Sequence, residues 1–175
     1  LSLRERTERV RKISVGVNWQ GGFDIHRTVE EAKIAVDSGV HLMSVAETWG
    51  RDAFSILGIL AYETSRINLG TSIVNIFSRT PAALAQHFTT LDMLSGGRLE
   101  LGLGAGWLRT EYEQAGLTFE RAGTRIDRLE ESLSIFKGLF SDEPVHHAGE
   151  HYTIDGLTGY PLPPHRPHPP ILIGG

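Results

Sequence analysis

The sequence predicts an α/β fold with parallel strands, and three observations carry that prediction. Short β-branched segments alternate with amphipathic ones, and strands begin near residues 13, 41, 67 and 98, one strand–helix unit roughly every 30 residues. The strand segments are apolar almost without interruption, as in a parallel sheet whose outer face is covered. The segments between them carry helix start and stop signals. Two architectures share this rhythm, a barrel of repeated βα units and an open doubly wound sheet. In both, the polar residues that follow the strands build the site.

Taken in order, "ISVGV" (Ile13–Val17) is short and β-branched and reads as a buried strand. A Gly-rich turn leads to the helix "TVEEAKIAVDSG", which Thr28 and Glu31 open as a capping box and Gly39 closes in the left-handed conformation. "HLMSVAE" is the second strand, and Asp52 caps the helix "AFSILGILAYETS". "INLGTSIV" is the third. Thr80 is the N-cap of the next helix and Pro81 takes its first position, where a missing N–H is harmless. "SGG" ends that helix and "RLELGLG" is the fourth strand. The following helix runs from Thr124 to Phe140, with Ile126, Leu129, Leu133, Phe136 and Phe140 on one apolar stripe. The rhythm then breaks. Residues 141–170 form an insertion rich in Pro, Gly and His, with "HYTI" its one candidate strand, before "ILIGG" resumes as strand five. Residues 1–12 read as a solvated extension, and residues 13–175 as one domain.

Composition narrows the function classes. The formal net charge is −4, which speaks against a nucleic-acid partner. There is no cysteine, so disulfides, thiolate nucleophiles and Cys-type zinc sites are excluded. No apolar run approaches the ~18 residues of a membrane span. The opening "LSLRERTERVRK" lacks a signal-type apolar core and carries glutamates. The expected setting is cytoplasmic. His146, His147 and His151, with His165 and His168 after them, are spaced poorly for zinc and read as a solvated loop. Neither a G-x-S-x-G elbow nor a Walker A motif is present. "GLGAG" fails as a dinucleotide fingerprint because Trp107 stands where the third glycine is needed. The charges of "RIDRLEES" read as a solvated helix face.

The strand ends are where the chemistry collects. Strand one ends in "NWQGG", strand two in "ETWG", strand three in "TSIVN", strand four in "GLGAGW" and strand five in "IGG". One carboxylate, several hydroxyls and amides, tryptophans and two Gly-rich turns converge on one rim. Glycines let backbone approach a ligand and tryptophans supply flat apolar walls, so the rim suits a planar heteroaromatic with polar edges. Glu47, placed where strand two emerges, is the leading functional acid, the bland alternative being a cap or a brace for Arg51.

The segments "SVAETWGRDAF", "RINLGTSIVNIFSRTPAALAQHFTTLDMLSGGRLELGLGAGW", "RLEESLSIFKGLF" and "PPILIGG" resemble the bacterial luciferase-like monooxygenase superfamily, in particular its coenzyme F420-dependent oxidoreductases. The resemblance runs in order from about Ile13 to Gly175. It implies a (β/α)8 TIM barrel of which this chain covers about the first five strands. The cofactor would be the deazaflavin F420, with FMN as the alternative, its ring lying in the C-terminal mouth. A non-proline cis peptide in the third strand would fall at Ser72–Ile73. The resemblance places Glu47 near the reactive edge of the ring, and Thr71, Ser72, Ile73, Gly104, Ala105, Gly106, Gly174 and Gly175 along the cofactor. Asn18, Trp19, Trp49 and Trp107 would wall the substrate. Thr48 and the "GAGW" loop depart from the deazaflavin pattern and leave Glu47 and Glu111 as candidate proton donors, Glu47 preferred.

The implied activity is hydride transfer between reduced F420 and a small organic substrate. The rivals are an FMN-dependent monooxygenase using oxygen and a non-catalytic half-barrel that pairs with a partner chain. A barrel of this kind needs ~250 residues. The sequence therefore leads one to expect either a missing C-terminal part or completion by a partner, most simply a homodimer.

Overall fold

The computed structural model describes residues 12–17, 22–47 and 50–174. Along the chain the first elements are β1 (Ser14–Gly16), α1 (Ile25–Asp37), β2 (Leu42–Val45), α2 (Ala53–Glu63), β3 (Asn68–Thr71), β4 (Val74–Asn75) and α3 (Pro81–Ser95). They are followed by β5 (Leu99–Gly104), α4 (Arg109–Gln114), α5 (Ala122–Leu139), β6 (Val145–Ala148), β7 (Thr153–Leu157) and β8 (Ile171–Ile173).

Strand neighbours follow chain order. β1 pairs with β2 and β2 with β3, Leu42 lying opposite both Ser14 and Asn68. β3 and its continuation β4 both pair with β5, and β5 pairs with β8. Every one of these pairings is parallel. A doubly wound sheet would reverse its strand order at a switch point; this sheet does not, and the barrel topology is the one present. The single third strand read from the sequence is two, β3 and β4, interrupted at Ser72 and Ile73.

Helices α2, α3 and α5 cover the outer face. Phe88 of α3 meets the rings of Phe54 and Phe136 edge-on, at 5.3 and 6.2 Å. Around them Leu57, Leu60, Leu69, Leu84, Leu101 and Leu103 are fully buried. Each such side chain contributes roughly 1.5–3 kcal/mol by leaving water. Arg98, just before β5, stitches the helix–strand junctions. Its guanidinium donates to the carbonyls of Ala61, Thr64, Ile67 and Ser95 at 2.6–2.9 Å. Burial pushes its pKa down, and these acceptors are what make a largely enclosed cation tolerable.

The predicted caps at Asp52, Thr80 with Pro81, Gly39 and Gly96 are all present. α1 starts earlier than expected. Its N-cap is Asp24, which accepts from the N–H of His26 and Arg27, while the Thr28 hydroxyl is turned inward to the Asp24 carbonyl. In α5 the buried residues are Leu129, Ser132, Ile135, Phe136 and Leu139. That set is rotated away from Ile126, which is half exposed at the edge of the stripe.

The insertion is more ordered than its composition implies. β6 and β7 form an antiparallel hairpin, Val145 opposite Leu157, and β7 begins two residues later than "HYTI". It is hard to see in a sequence reading, because the few apolar residues that pack it on the core, Val145, Tyr152 and Ile154, are joined by a helix carboxylate that holds its turn. Glu131 of α5 accepts the N–H groups of Glu150, His151 and Tyr152 at 2.9–3.2 Å and lies 3.2 Å from His147 Nε2. His165 is likewise engaged, donating its N–H to the fully buried Asp92, with Nδ1 at 2.7 Å from the same carboxylate. The expectation of a solvated histidine loop is therefore corrected at His147 and His165. Among the described residues no group of three or more His, Asp or Glu side chains is arranged to hold a metal.

Burial pushes the Glu131 carboxyl up, but its bonds from His147 and the three N–H groups outweigh this and hold it below the usual carboxylate range. On acidification the unfolded chain therefore protonates first. The stabilisation is complete above the usual range and lost as pH falls through the lower folded value. Exchange protection at Glu150, His151 and Tyr152 is expected to be full above the usual carboxylate range and to fall as the pH drops below it. Glu131→Gln is expected to weaken that protection and remove its pH dependence.

Candidate active site

The C-terminal ends of β2, β4 and β5 meet around one irregularity. At the end of β3 the Thr71 hydroxyl donates to the Gly102 carbonyl at 2.6 Å and accepts the Gly102 N–H at 2.9 Å. A side chain thus stands in for a backbone rung, and the next two residues are released from the ladder with β5. The Ser72–Ile73 peptide bond is cis. The bulge is fastened to β2, Ser72 N–H donating to Val45 O at 2.9 Å and Glu47 N–H to Ile73 O at 3.2 Å. Ser72 is exposed and Ile73 half-buried, its side chain packed beside Gly104 and Gly174.

Glu47 leaves β2 directly beside the bulge, and its side chain is only 9% exposed. It is fully engaged. Arg79 Nη1 donates to Oε1 at 2.5 Å, Arg79 Nη2 to Oε2 at 3.1 Å, and Ala53 N–H to Oε2 at 3.0 Å. Arg79 also lies over the Phe54 ring at 4.9 Å. The carboxylate therefore helps cap α2 and grips a guanidinium in a two-pronged pair, the stronger class of charge-assisted bond. Arg79 is the residue a sequence reading missed. Its signal was its place in "FSRTP", one residue before the helix cap at a strand end. Arg51, the brace considered for Glu47, lines the same cavity but is not the partner that grips it.

Two cavities open at this rim. One, of about 280 Å³, is lined by Glu47, Asn75, Phe77, Ser78 and Arg79 together with residues 50–52. The other, of about 480 Å³, lies across Phe77, Ser78 and Arg79 and reaches Tyr112, Arg125 and Tyr152. Tyr112 stacks on Phe77 with ring centroids 3.7 Å apart and donates its hydroxyl to Ala105 O at 2.6 Å. Burial pushes the Tyr112 phenol up to about 12, so it stays a donor. In this second cavity Arg128 pairs with Glu120 through two bonds of 2.6 and 2.9 Å. The "RIDRLEES" face is thus not simply solvated; three of its charges, Arg125, Arg128 and Glu131, are structurally engaged.

The predicted site residues divide accordingly. Glu47, Ser72 and Ile73 are brought together at the mouth. Thr71 is buried with its hydroxyl committed to Gly102. Gly104 and Gly174 flank Ile73, and a Cβ on either would come within 2.7 Å of that side chain. Their bareness thus leaves room for the Ile73 side chain. Ala105 lines the larger cavity, and Gly106 turns the chain at φ 73° beside Tyr112. Trp107 is 81% exposed and lines neither cavity, nor does Glu111 on α4. Asn18, Trp19, Trp49 and Gly175 lie outside the described residues.

Comparison with known proteins agrees with this geometry. The family described as "Luciferase-like monooxygenase" matches residues 7–175. A Mycobacterium tuberculosis protein is 33% identical over 174 residues, 93% of this chain and 49% of its own length. An F420-dependent glucose-6-phosphate dehydrogenase of Kineococcus radiotolerans is 39% identical over 115 residues, 65% of this chain and 33% of its own. Among solved structures, the coenzyme F420-dependent tetrahydromethanopterin reductase of Methanopyrus kandleri superposes with a TM-score of 0.84 at 20% identity. That alignment covers 94% of this chain and 50% of the other, and at this identity it speaks for the fold alone. The chain spans about half the length, or less, of these relatives.

Proposed function

The chain belongs to the luciferase-like monooxygenase family, and from that membership we propose that it supplies the first half-barrel of an oxidoreductase moving a hydride between reduced coenzyme F420 and a small organic substrate. The observation that carries the reading is the bulged third strand, fastened to β2 by the bonds from Ser72 N–H to Val45 O and from Glu47 N–H to Ile73 O at the strand ends. The choice of F420 is supported by the 39% identity to a dehydrogenase that uses it.

The residues present fit one edge of a planar ring. The bulge at Ser72 and Ile73 lies beside a cavity that combines the Phe77 ring with the Asn75 amide and the Ser78 hydroxyl. When bound, the deazaflavin would supply the hydride chemistry. The chain's own part is to hold that edge, exclude water and fix charge beside it. Glu47 acts here as an anchoring anion. Both its oxygens are occupied, so its side chain braces Arg79 and the start of α2 together, beside the bulge that its backbone N–H holds.

The exposed apolar residues Ile59 and Tyr62 of α2, with Met93 and Leu94 of the neighbouring α3, support self-association as a dimer. One titration tests these readings together. The chain is expected to bind the deazaflavin coenzyme saturably, read by its absorbance and fluorescence, more tightly than FMN. Light scattering alongside is expected to give twice the chain mass. Tight binding of FMN alone would replace the first reading with an FMN monooxygenase. Stable association with no flavin bound would favour a purely structural half-barrel.

A further inference from the structure

The larger cavity at the rim carries more positive charge than its neighbours answer. Of its three guanidinium groups, Arg79 is gripped by Glu47 and Arg128 by Glu120. Arg125 is different. Among the described residues it has no ion-pair partner. Its Nη1 donates to the Glu120 backbone carbonyl at 2.5 Å, its Cζ lies 4.1 Å from the Phe119 centroid, its Nε is buried with no hydrogen-bond partner, and the Glu120 carboxylate, already paired with Arg128, acts on it only through space. The Nε is enclosed and an unpaired buried N–H of a charged group is costly, so the side of Arg125 left to meet a partner is its Nη end toward the cavity. The surroundings specify that ligand's chemistry. A guanidinium edge matches a carboxylate or phosphate in two-point fashion. Thr118 and Ser78 add hydroxyls, and Tyr112, Leu117 and Tyr152 add flat or apolar wall. At about 480 Å³ the space is in the range of small-molecule sites.

We propose that this cavity binds an organic anion, a carboxylate or phosphate on an aromatic or apolar body, with Arg125 as its charge partner. The site shares Phe77, Ser78 and Arg79 with the mouth cavity but does not depend on the flavin reading, because its determinants lie on α5 and the loop before it. The bound anion would complete Arg125 as Glu120 completes Arg128, and the two tyrosines would hold its body.

The test uses the 175-residue chain and benzoate, with benzamide as the neutral isostere. Binding is read at the Arg125 side-chain Nε–H resonance and by tyrosine fluorescence. Benzoate is expected to shift that resonance saturably, in roughly the millimolar range, and benzamide to bind at least about tenfold more weakly. Arg125→Gln is expected to weaken benzoate by about tenfold or more, and Arg125→Lys, which keeps charge without the planar edge, by less. If Arg125→Gln fails to fold, the benzoate–benzamide contrast on the unaltered chain still decides. Equal binding of the two, or no shift at Arg125, overturns the proposal. Competition by the intact deazaflavin coenzyme, but not by its tail-free ring, would assign the anion to the cofactor's own tail. Competition by neither would assign it to a separate small molecule.

Discussion

Glu47→Gln is expected to destabilise the chain by about 3–5 kcal/mol and to weaken cofactor binding and turnover together. The pair it breaks is largely enclosed, with side chains 9% and 21% exposed, so the screening that makes surface pairs worth little does not apply in full. An amide can accept at one position only. It would leave either an Arg79 N–H or the Ala53 N–H without its acceptor, and an unpaired guanidinium under the rim. The expected pattern differs from that of a proton donor, which would lose turnover while keeping both stability and binding. Denaturant unfolding and a binding titration on the same variant separate the two. Arg79→Met alone is expected to behave like Glu47→Gln. The double variant is expected to lose less than the sum of the singles, since neither charge is then left alone. Loss of turnover confined to the chemical step, with unchanged stability, would restore Glu47 as the acid.

Gly102→Ala is expected to cost about 4 kcal/mol or more and to leave little folded chain. A Cβ at this position would stand 1.8 Å from the Thr71 carbonyl oxygen and 2.8 Å from its carbon. Both contacts are backbone, so no side-chain rotation relieves them, and the two strands would have to separate at the centre of the sheet. The Thr71 hydroxyl bridge and the bulge behind it would be displaced as well. Gly58→Ala is the control. Its nearest contact would be an ordinary 4.0 Å from Leu91, and the change suits a helix interior. Thermal unfolding of the two variants side by side reads the difference, and comparable melting points would refute the close approach described here.

How much of this was legible beforehand depends on how local each determinant is. The βα rhythm, the caps at Asp52 and Thr80 and the left-handed glycines at 39 and 96 follow from neighbours within a turn or two. A strand-end acid at Glu47 was legible for the same reason. Its grip on Arg79 was not, because that partner stands 32 residues away. The hairpin of β6 and β7 was obscured because a carboxylate on α5, 19 to 21 residues earlier, holds its turn. Gly104 and Gly174 drew attention as openings for a ligand. They also give clearance to Ile73, a contact that needs three strands in place at once.

Periodicity and capping chemistry were enough to specify an α/β chain of parallel strands with its reactive groups at one rim, since those signals act over a few residues. Whether the rim acid is free or gripped, which glycines face protein, and which arginine among three is left unanswered are matters of long-range proximity. Packing settles them because charge pairing, steric clearance and burial depend on distances between segments that lie far apart in the chain.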